Sequence, residues 1–270
     1  MAAMESTLTH DELRAALEWQ IELGATEAVG DGPVNWYDLN EAPAAQSAKT
    51  TPQKPASAAP KPVAKVAEID PVAEARNAAA QSDTLEKLHQ SLFEFDFCEL
   101  KKGARNTVFA DGLAGAEVMI IGEAPGRDED IEGRPFVGRA GQLLDKMLAA
   151  IALDRTATTP DAAVYITNVM PWRPPQNRDP SEAEIAMMVP FVTRHIELAR
   201  PKLVVLMGNA ACQAMLGKKG ITRLRGQWAE VAGTPAMPMF HPAYLLRNPE
   251  RKREAWADLL DIRARLKAKP

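Results

Sequence analysis

The chain has 270 residues, of which 46% are hydrophobic and 25% charged, as is typical of a globular protein with one good-sized domain and an additional segment. Its apolar runs are too short to cross a membrane, no secretory signal opens the chain, and its two cysteines do not provide a disulfide framework. We therefore expect a cytoplasmic protein. The net charge of −4 does not exclude a nucleic-acid partner, because basic residues are concentrated near the C-terminus.

The first 83 residues divide into a helical segment and a linker. Residues 9–23 have the pattern of an amphipathic helix that begins with a capping box of Thr9 and Glu12. We assign residues 1–40 to this segment, which either packs on the following domain or binds a protein partner. Residues 41–83 are rich in alanine and proline, a composition that favours a linker. Residues 84–270 should form the main domain.

The main domain alternates short apolar runs with helical patterns. The apolar runs predict strands at 118–121, 164–169, 203–207 and 236–240. The helical patterns predict helices at 142–152, at 181–199, from about 209, and at about 249–268. Apolar strands that alternate with helices favour a parallel sheet covered on both faces. We therefore predict an α/β fold, a three-layer α/β/α sandwich with a central, mostly parallel, four-stranded sheet.

Polar residues follow the predicted strands, at the edge where open parallel sheets bind their ligands. They are a Gly-Glu-Ala-Pro-Gly run at 122–126, Asn168, a Gly-Asn pair at 208–209, and His241. No serine or cysteine nucleophile stands at these strand ends, and the histidines have no metal-ligand spacing. The pattern therefore favours recognition and electrostatic catalysis, without a covalent intermediate.

Several motifs resemble those of family 4 uracil-DNA glycosylases over about residues 85–265. The longest is the run at 122–144, GEAPGRDEDIEGRPFVGRAGQLL. The others keep the family's order: YITN at 165–168, RPPQNR at 173–178, RPK at 200–202, LRGQW at 224–228 and HPAYLLRNP at 241–249. The resemblance implies hydrolysis of the N-glycosidic bond of uracil in DNA, which leaves an abasic site and starts base excision repair.

The resemblance also implies catalytic roles. Phe136 would stack on a base that has been flipped out of the duplex. Asn168 would read the edge of uracil, and His241 would face O2, where negative charge collects as the base leaves. Glu123 would face the sugar, either to stabilise its oxocarbenium character or to hold the attacking water.

The remaining pocket residues follow from the same resemblance. Ala124 stands where the best-known uracil glycosylases have a water-activating aspartate, so we expect a dissociative mechanism without a strong general base. Gly122, Gly126 and Glu129 complete the predicted substrate-binding wall together with Ala124. DNA contacts are predicted for Arg223, Arg225, Leu245 and Arg247, with Leu245 as a wedge in the base stack and the arginines near phosphates.

Family 4 enzymes hold a [4Fe–4S] cluster on four cysteines, and this sequence departs from that pattern. The aligned positions are Phe95, Cys98, Trp172 and Met188. Because such clusters need four thiolates, we predict no iron–sulfur cluster and no metal, with apolar side chains in the vacated volume.

Two alternatives stay open. The first is an enzyme of the same fold with a broader range of deaminated bases, such as hypoxanthine or xanthine. The second is a non-catalytic DNA-binding relative, against which the joint presence of Glu123, Asn168 and His241 argues.

Overall fold

The structure of the protein is a computed structural model that describes residues 70–268. The structure does not describe residues 1–69. The predicted N-terminal helix at 9–23, with its proposed role in binding a protein partner, and most of the predicted linker therefore lie outside the described residues.

A six-stranded sheet forms the centre of the fold, in the order β1-β3-β2-β4-β6-β5. Its strands are β1 Asp111–Gly112, β2 Val118–Gly122, β3 Val164–Asn168, β4 Leu203–Met207, β5 Ala229–Val231 and β6 Thr234–Met239. The four inner strands run parallel and are the four predicted from the sequence, whereas β1 and β5 are antiparallel edge strands. The predicted count of four was wrong because strands of two or three residues show no readable alternation.

Ten α-helices surround the sheet within the described residues. They are α1 Pro71–Gln81, α2 Leu85–Glu94, α3 Leu100–Gly103, α4 Arg127–Glu132, α5 Arg139–Ala149, α6 Glu182–Ala199, α7 Gly208–Leu216, α8 Ile221–Leu224, α9 Pro242–Arg247 and α10 Lys252–Lys267. Short 3₁₀ turns occupy Pro175–Asn177 and Pro249–Arg251. None of the helices described is long and apolar enough to cross a membrane.

The inner strands explain why the fold needs helices on both faces of the sheet. Every residue of β2, β3 and β4 is buried, as expected for parallel strands that have no solvent-facing side. α6 begins at a capping box, in which Ser181 and Glu184 each bond the other's backbone N–H.

Helix α1 lies inside the segment that the sequence predicted to be linker. The Asp70 side chain accepts a hydrogen bond from the Val72 amide at 2.9 Å and caps this helix. Ala75 and Ala79 are buried, and the helix packs against α6. The linker prediction was wrong over 71–81, because small alanines allow close helix packing without the large apolar residues that usually mark a core. The domain therefore includes residues 71–81, which lie before the predicted start at 84.

Strand register positions the functional edge of the sheet. Gly122 and Asn168 are paired at the carboxyl ends of β2 and β3, and Met207 pairs with Met239 at the ends of β4 and β6. The residues that follow these four strands therefore meet at one edge.

Candidate active site

A pocket of about 530 Å³ lies at the carboxyl edge of the parallel strands. Eight of the residues predicted for the site line it: Glu123, Ala124, Gly126, Glu129, Phe136, Asn168, His241 and Arg247. Gly208 and Asn209, which follow β4, also line it, so residues that follow four different strands meet in one cavity.

Gly122 lies where Phe136 and Asn168 come closest to the backbone. A Cβ atom at this position would lie 2.3 Å from Oδ1 of Asn168 and 2.6 Å from the Phe136 ring. Both distances are far below contact, so only glycine leaves room for the two side chains. Gly122 was predicted to line the pocket, but it does not line it. Its lack of a side chain makes room for Asn168 and Phe136, which do.

Asn168 presents an unpaired acceptor to this region. The residue is 6% exposed, and its Oδ1 atom is buried without a hydrogen-bond partner among the described residues. A buried polar atom left unpaired costs about 1–3 kcal/mol. A ligand N–H that reached Oδ1 would remove this cost.

His241 is neutral and has its proton on the ring nitrogen that does not bond the backbone. Its Nδ1 atom accepts a hydrogen bond from the Ala243 amide at 3.1 Å, so the neutral ring carries its proton on Nε2. Burial, with a smaller contribution from the Arg247 guanidinium, lowers the pKa of His241 to about 4. The ring stacks on Phe136, with 5.3 Å between the ring centroids. His241 can therefore act as a neutral hydrogen-bond donor next to an aromatic surface.

Glu129 serves the pocket by holding its loops together. Its Oε1 atom accepts hydrogen bonds from the amides of Val137 and Gly138 at 3.0 and 2.9 Å. Its Oε2 atom accepts another from the Gly126 amide at 3.1 Å. Both carboxylate oxygens of Glu129 therefore accept hydrogen bonds from backbone amides. Glu129 was predicted to contact the substrate, but here it positions the two loops that form the pocket wall.

Glu123 is a partly buried carboxylate that lines the pocket. Burial, and to a smaller extent the charge of Asp179, raises its pKa above the usual range for a glutamate. Asp179 and Asn177 also line the pocket, and sequence reasoning missed both. The RPPQNR motif marks this segment, but nothing in the sequence shows which of its side chains faces the cavity.

Arg225 does not belong to the DNA-binding surface, and this prediction was wrong. Its guanidinium bonds both carboxylate oxygens of Asp258, with Nε 2.9 Å from Oδ2, and it also donates to the carbonyl of Glu254 at 2.9 Å. Asp258 is fully buried in α10. Arg225 therefore ties its loop to α10, whereas Arg223, two residues earlier, is exposed.

Leu245 was predicted to enter the base stack, and the structure contradicts this as well. Only 1% of the residue is exposed, because it faces the core on the inner side of α9. Successive helical residues differ by about 100° in direction, so the next residue, Leu246, points outward and is 37% exposed.

The four positions that were predicted to match cluster cysteines of family 4 enzymes are all buried. Trp172 and Met188 are 1% and 0% exposed, Phe95 is 5% exposed, and burial raises the pKa of the Cys98 thiol. The Trp172 indole N–H donates to Thr107 at 3.1 Å. One thiol, one thioether and two aromatic rings do not fit a cluster that needs four thiolates. No group of three His, Cys, Asp or Glu side chains placed to hold a metal ion occurs within 70–268.

Fold and pocket together define an α/β protein with a pocket at the carboxyl edge of its parallel strands. The chain belongs to the uracil DNA glycosylase superfamily, whose family model matches residues 109–260.

Several type-4 uracil-DNA glycosylases are similar to this chain. The enzyme of Sulfurisphaera tokodaii is 38% identical over 191 residues, which cover 67% of this chain and 84% of the relative. That of Archaeoglobus fulgidus is 36% identical over 189 residues, 67% of this chain and 92% of the relative. That of Thermotoga maritima is 40% identical over 154 residues, 56% of this chain and 77% of the relative.

Proposed function

We propose that this protein is a uracil-DNA glycosylase, which hydrolyses the bond between uracil and deoxyribose in DNA and so starts base excision repair. The observation that carries the proposal is the buried, unpaired Oδ1 of Asn168 in a pocket that also contains the neutral His241 and the ring of Phe136. The type-4 uracil-DNA glycosylases named above support the same activity.

Base choice depends on Asn168. The N3–H of uracil would donate to Oδ1, and the Nδ2 amide would donate to O4. Cytosine has no proton on N3 and carries an amino group at position 4, so both contacts would be mismatched. A site built around such contacts rejects the wrong base strongly, because its buried polar groups are left unpaired.

Bond cleavage depends on charge stabilisation at the departing base. The bond between C1′ and N1 breaks, and its electron pair leaves with the uracil, which spreads the charge over O2 and O4. The Nε2–H of His241 would donate to O2 as this charge develops, an effect worth about 10²–10³ in rate. Water adds to C1′, and the proton that it loses neutralises the departing uracil anion, so the products are uracil and an abasic site. Glu123, a partly buried carboxylate in the same pocket, would hold this water or stabilise the sugar.

Excision would require that the target nucleotide leave the duplex, because an enzyme that acts on a base cannot reach it inside the base stack. Arg223 and Arg247 are exposed, and Arg247 lies at the pocket itself, so both are assigned to phosphates. Contact with the base stack is assigned to Leu246, the exposed leucine of α9.

The enzyme works without an iron–sulfur cluster, a proposal supported by the donor set of one thiol among four aligned positions. The two buried free cysteines also suit the reducing cytoplasm. Protein purified without oxygen should contain no stoichiometric iron and no visible absorbance of a cluster. Iron at four atoms per chain would contradict the proposal.

The activity is tested on matched oligonucleotides that contain one uracil, hypoxanthine, xanthine or cytosine. Alkali cleaves the strand wherever a base has been removed. Cleavage at uracil alone supports the proposed enzyme, and comparable cleavage at hypoxanthine or xanthine supports the broader range. Binding to uracil-containing DNA without any cleavage would identify a non-catalytic relative.

A further inference from the structure

The peptide unit between Phe136 and Val137 is held at both ends by charged side chains. Its carbonyl accepts a hydrogen bond from Nη2 of Arg155 at 2.9 Å. Its N–H donates to Oε1 of Glu129 at 3.0 Å. The two bonds together fix the plane of a single peptide unit, and with it the backbone that carries the Phe136 ring.

Phe136 needs this support because its backbone conformation is unfavourable. Its φ angle is 55°, in the left-handed region that bulky residues rarely adopt. The following helix also presses on this segment, since a Cβ atom at Gly141 would lie 1.7 Å from the Phe136 carbonyl oxygen. Such conformations persist only where neighbouring groups impose them, and they concentrate at functional sites.

Arg155 is built to impose this conformation. Its side chain is 10% exposed, and Nη1 donates to the Pro135 carbonyl at 3.0 Å, one residue before the strained position. Two carboxylates fix the guanidinium in turn, with Asp145 2.8 Å from Nε and Asp111 3.1 Å from Nη1. A planar fork of donors can span two consecutive carbonyls and two carboxylates, which a lysine ammonium cannot do.

The ring that depends on this backbone lies in the pocket. Its edge contacts the position of Gly122, and its centroid is 5.3 Å from that of His241. Rotation of the Phe136 backbone toward negative φ would move the ring away from both. The pocket would then lose the surface on which a flat base stacks.

We propose that Arg155, which does not line the pocket, is a positioning residue that holds Phe136 in the left-handed conformation required for stacking on the flipped base. The kinetic test of this proposal rests on the proposed function, because it measures the excision of uracil. Arg155 acts through the two backbone carbonyls and not through any contact with DNA or base.

A double-mutant cycle tests this relationship. Single-turnover excision of uracil is measured for the wild type, R155M, F136A and R155M/F136A. R155M should slow excision about 10-fold to 100-fold, the scale expected for a misplaced contact group. In the F136A background the same change should have almost no further effect. The proposal would be overturned if R155M slowed excision equally in the wild-type and F136A backgrounds, or if R155M alone did not slow excision.

Two further variants separate positioning from general loss of structure. R194M removes an arginine that bonds the Ser82 carbonyl and Glu197 far along α6, and it should leave excision unchanged. R155K keeps the positive charge beside Asp111 and Asp145 and is expected to fold, yet it should still slow excision. Full rescue by lysine would show that only the charge matters.

A crystal structure of R155M, or of R155K should R155M not fold, gives a readout that does not depend on activity. Phe136 should leave the left-handed region, and its ring should move away from Gly122. An unchanged Phe136 would overturn the proposal. If the wild type removes no uracil, the proposed function fails, and this comparison still decides the role of Arg155.

Discussion

Gly122 and Asn168 are paired across β2 and β3, and a Cβ atom at position 122 would lie only 2.3 Å from Oδ1 of Asn168. The same atom would lie 2.6 Å from the ring of Phe136. One hydrogen in place of a methyl group therefore allows the amide and the ring that form the pocket to approach the same point.

Gly122→Ala should abolish most of the activity while the domain stays folded. The added methyl group must displace Asn168 or Phe136, and a displacement of about 1 Å costs roughly 10²-fold in rate. Single-turnover excision of uracil measures the loss. Gly103→Ala is the matched control, because nothing lies within 4 Å of a Cβ atom there. Wild-type rates for Gly122→Ala would show that the pocket tolerates the methyl group.

Asn168→Asp should change base choice more than it changes folding. The carboxylate still accepts from N3–H, but it no longer donates to O4, so excision of uracil should slow. Discrimination against cytosine should weaken, because the amino group of cytosine finds an acceptor. Both rates are measured on duplexes of one sequence that differ in the target base. An unchanged ratio of the two rates would remove Asn168 from base recognition.

The sequence predicted the inner part of this fold well. Four apolar runs of about five residues predicted the parallel strands, and parallel order places their carboxyl ends together. The convergence of Glu123, Asn168 and His241 on one pocket followed from that geometry.

The errors among the predicted DNA contacts have a common physical origin, which is the direction of individual side chains. Arg223 lies in α8 and Arg225 directly follows this helix, yet Arg223 is exposed whereas Arg225 binds the buried Asp258. Leu245 and Leu246 are adjacent, yet only the second faces outward. Tertiary contacts decide such orientations, and neither spacing nor a motif contains that information.

Trp172→Ala should destabilise the domain by about 3–5 kcal/mol, the usual cost of removing a large aromatic side chain from a core. Trp172 is 1% exposed, and the sequence predicts that it stands where family 4 enzymes have a cluster cysteine. Urea denaturation measures the change in unfolding free energy. Trp256→Ala, at a residue that is 43% exposed, is the control and should change stability by less than about 0.5 kcal/mol. Similar losses of stability for both variants would mean that Trp172 is not part of a packed core.

The pH dependence of stability should reflect His195. Burial, with a smaller contribution from His89, lowers its pKa to about 3 in the folded protein. The unfolded chain binds this proton at about pH 6.5, so stability is complete above that pH and falls as the pH is lowered.

Between pH 6 and pH 4 the wild type should lose about 1.4 kcal/mol per pH unit more than His195→Gln, which has no titrating ring. Denaturation curves at several pH values provide the comparison. Parallel pH profiles for the two proteins would show that His195 does not remain neutral.

The most direct test concerns His241 and compares the rate of uracil excision with the affinity for the same duplex. His241→Ala should slow single-turnover excision by roughly 10²–10³, because O2 becomes strongly negative only as the base leaves. The Kd for uracil-containing DNA should change by less than about threefold, since phosphate contacts dominate binding of the ground state. If the Kd rises by the same factor as the rate falls, His241 positions DNA and does not stabilise the departing base.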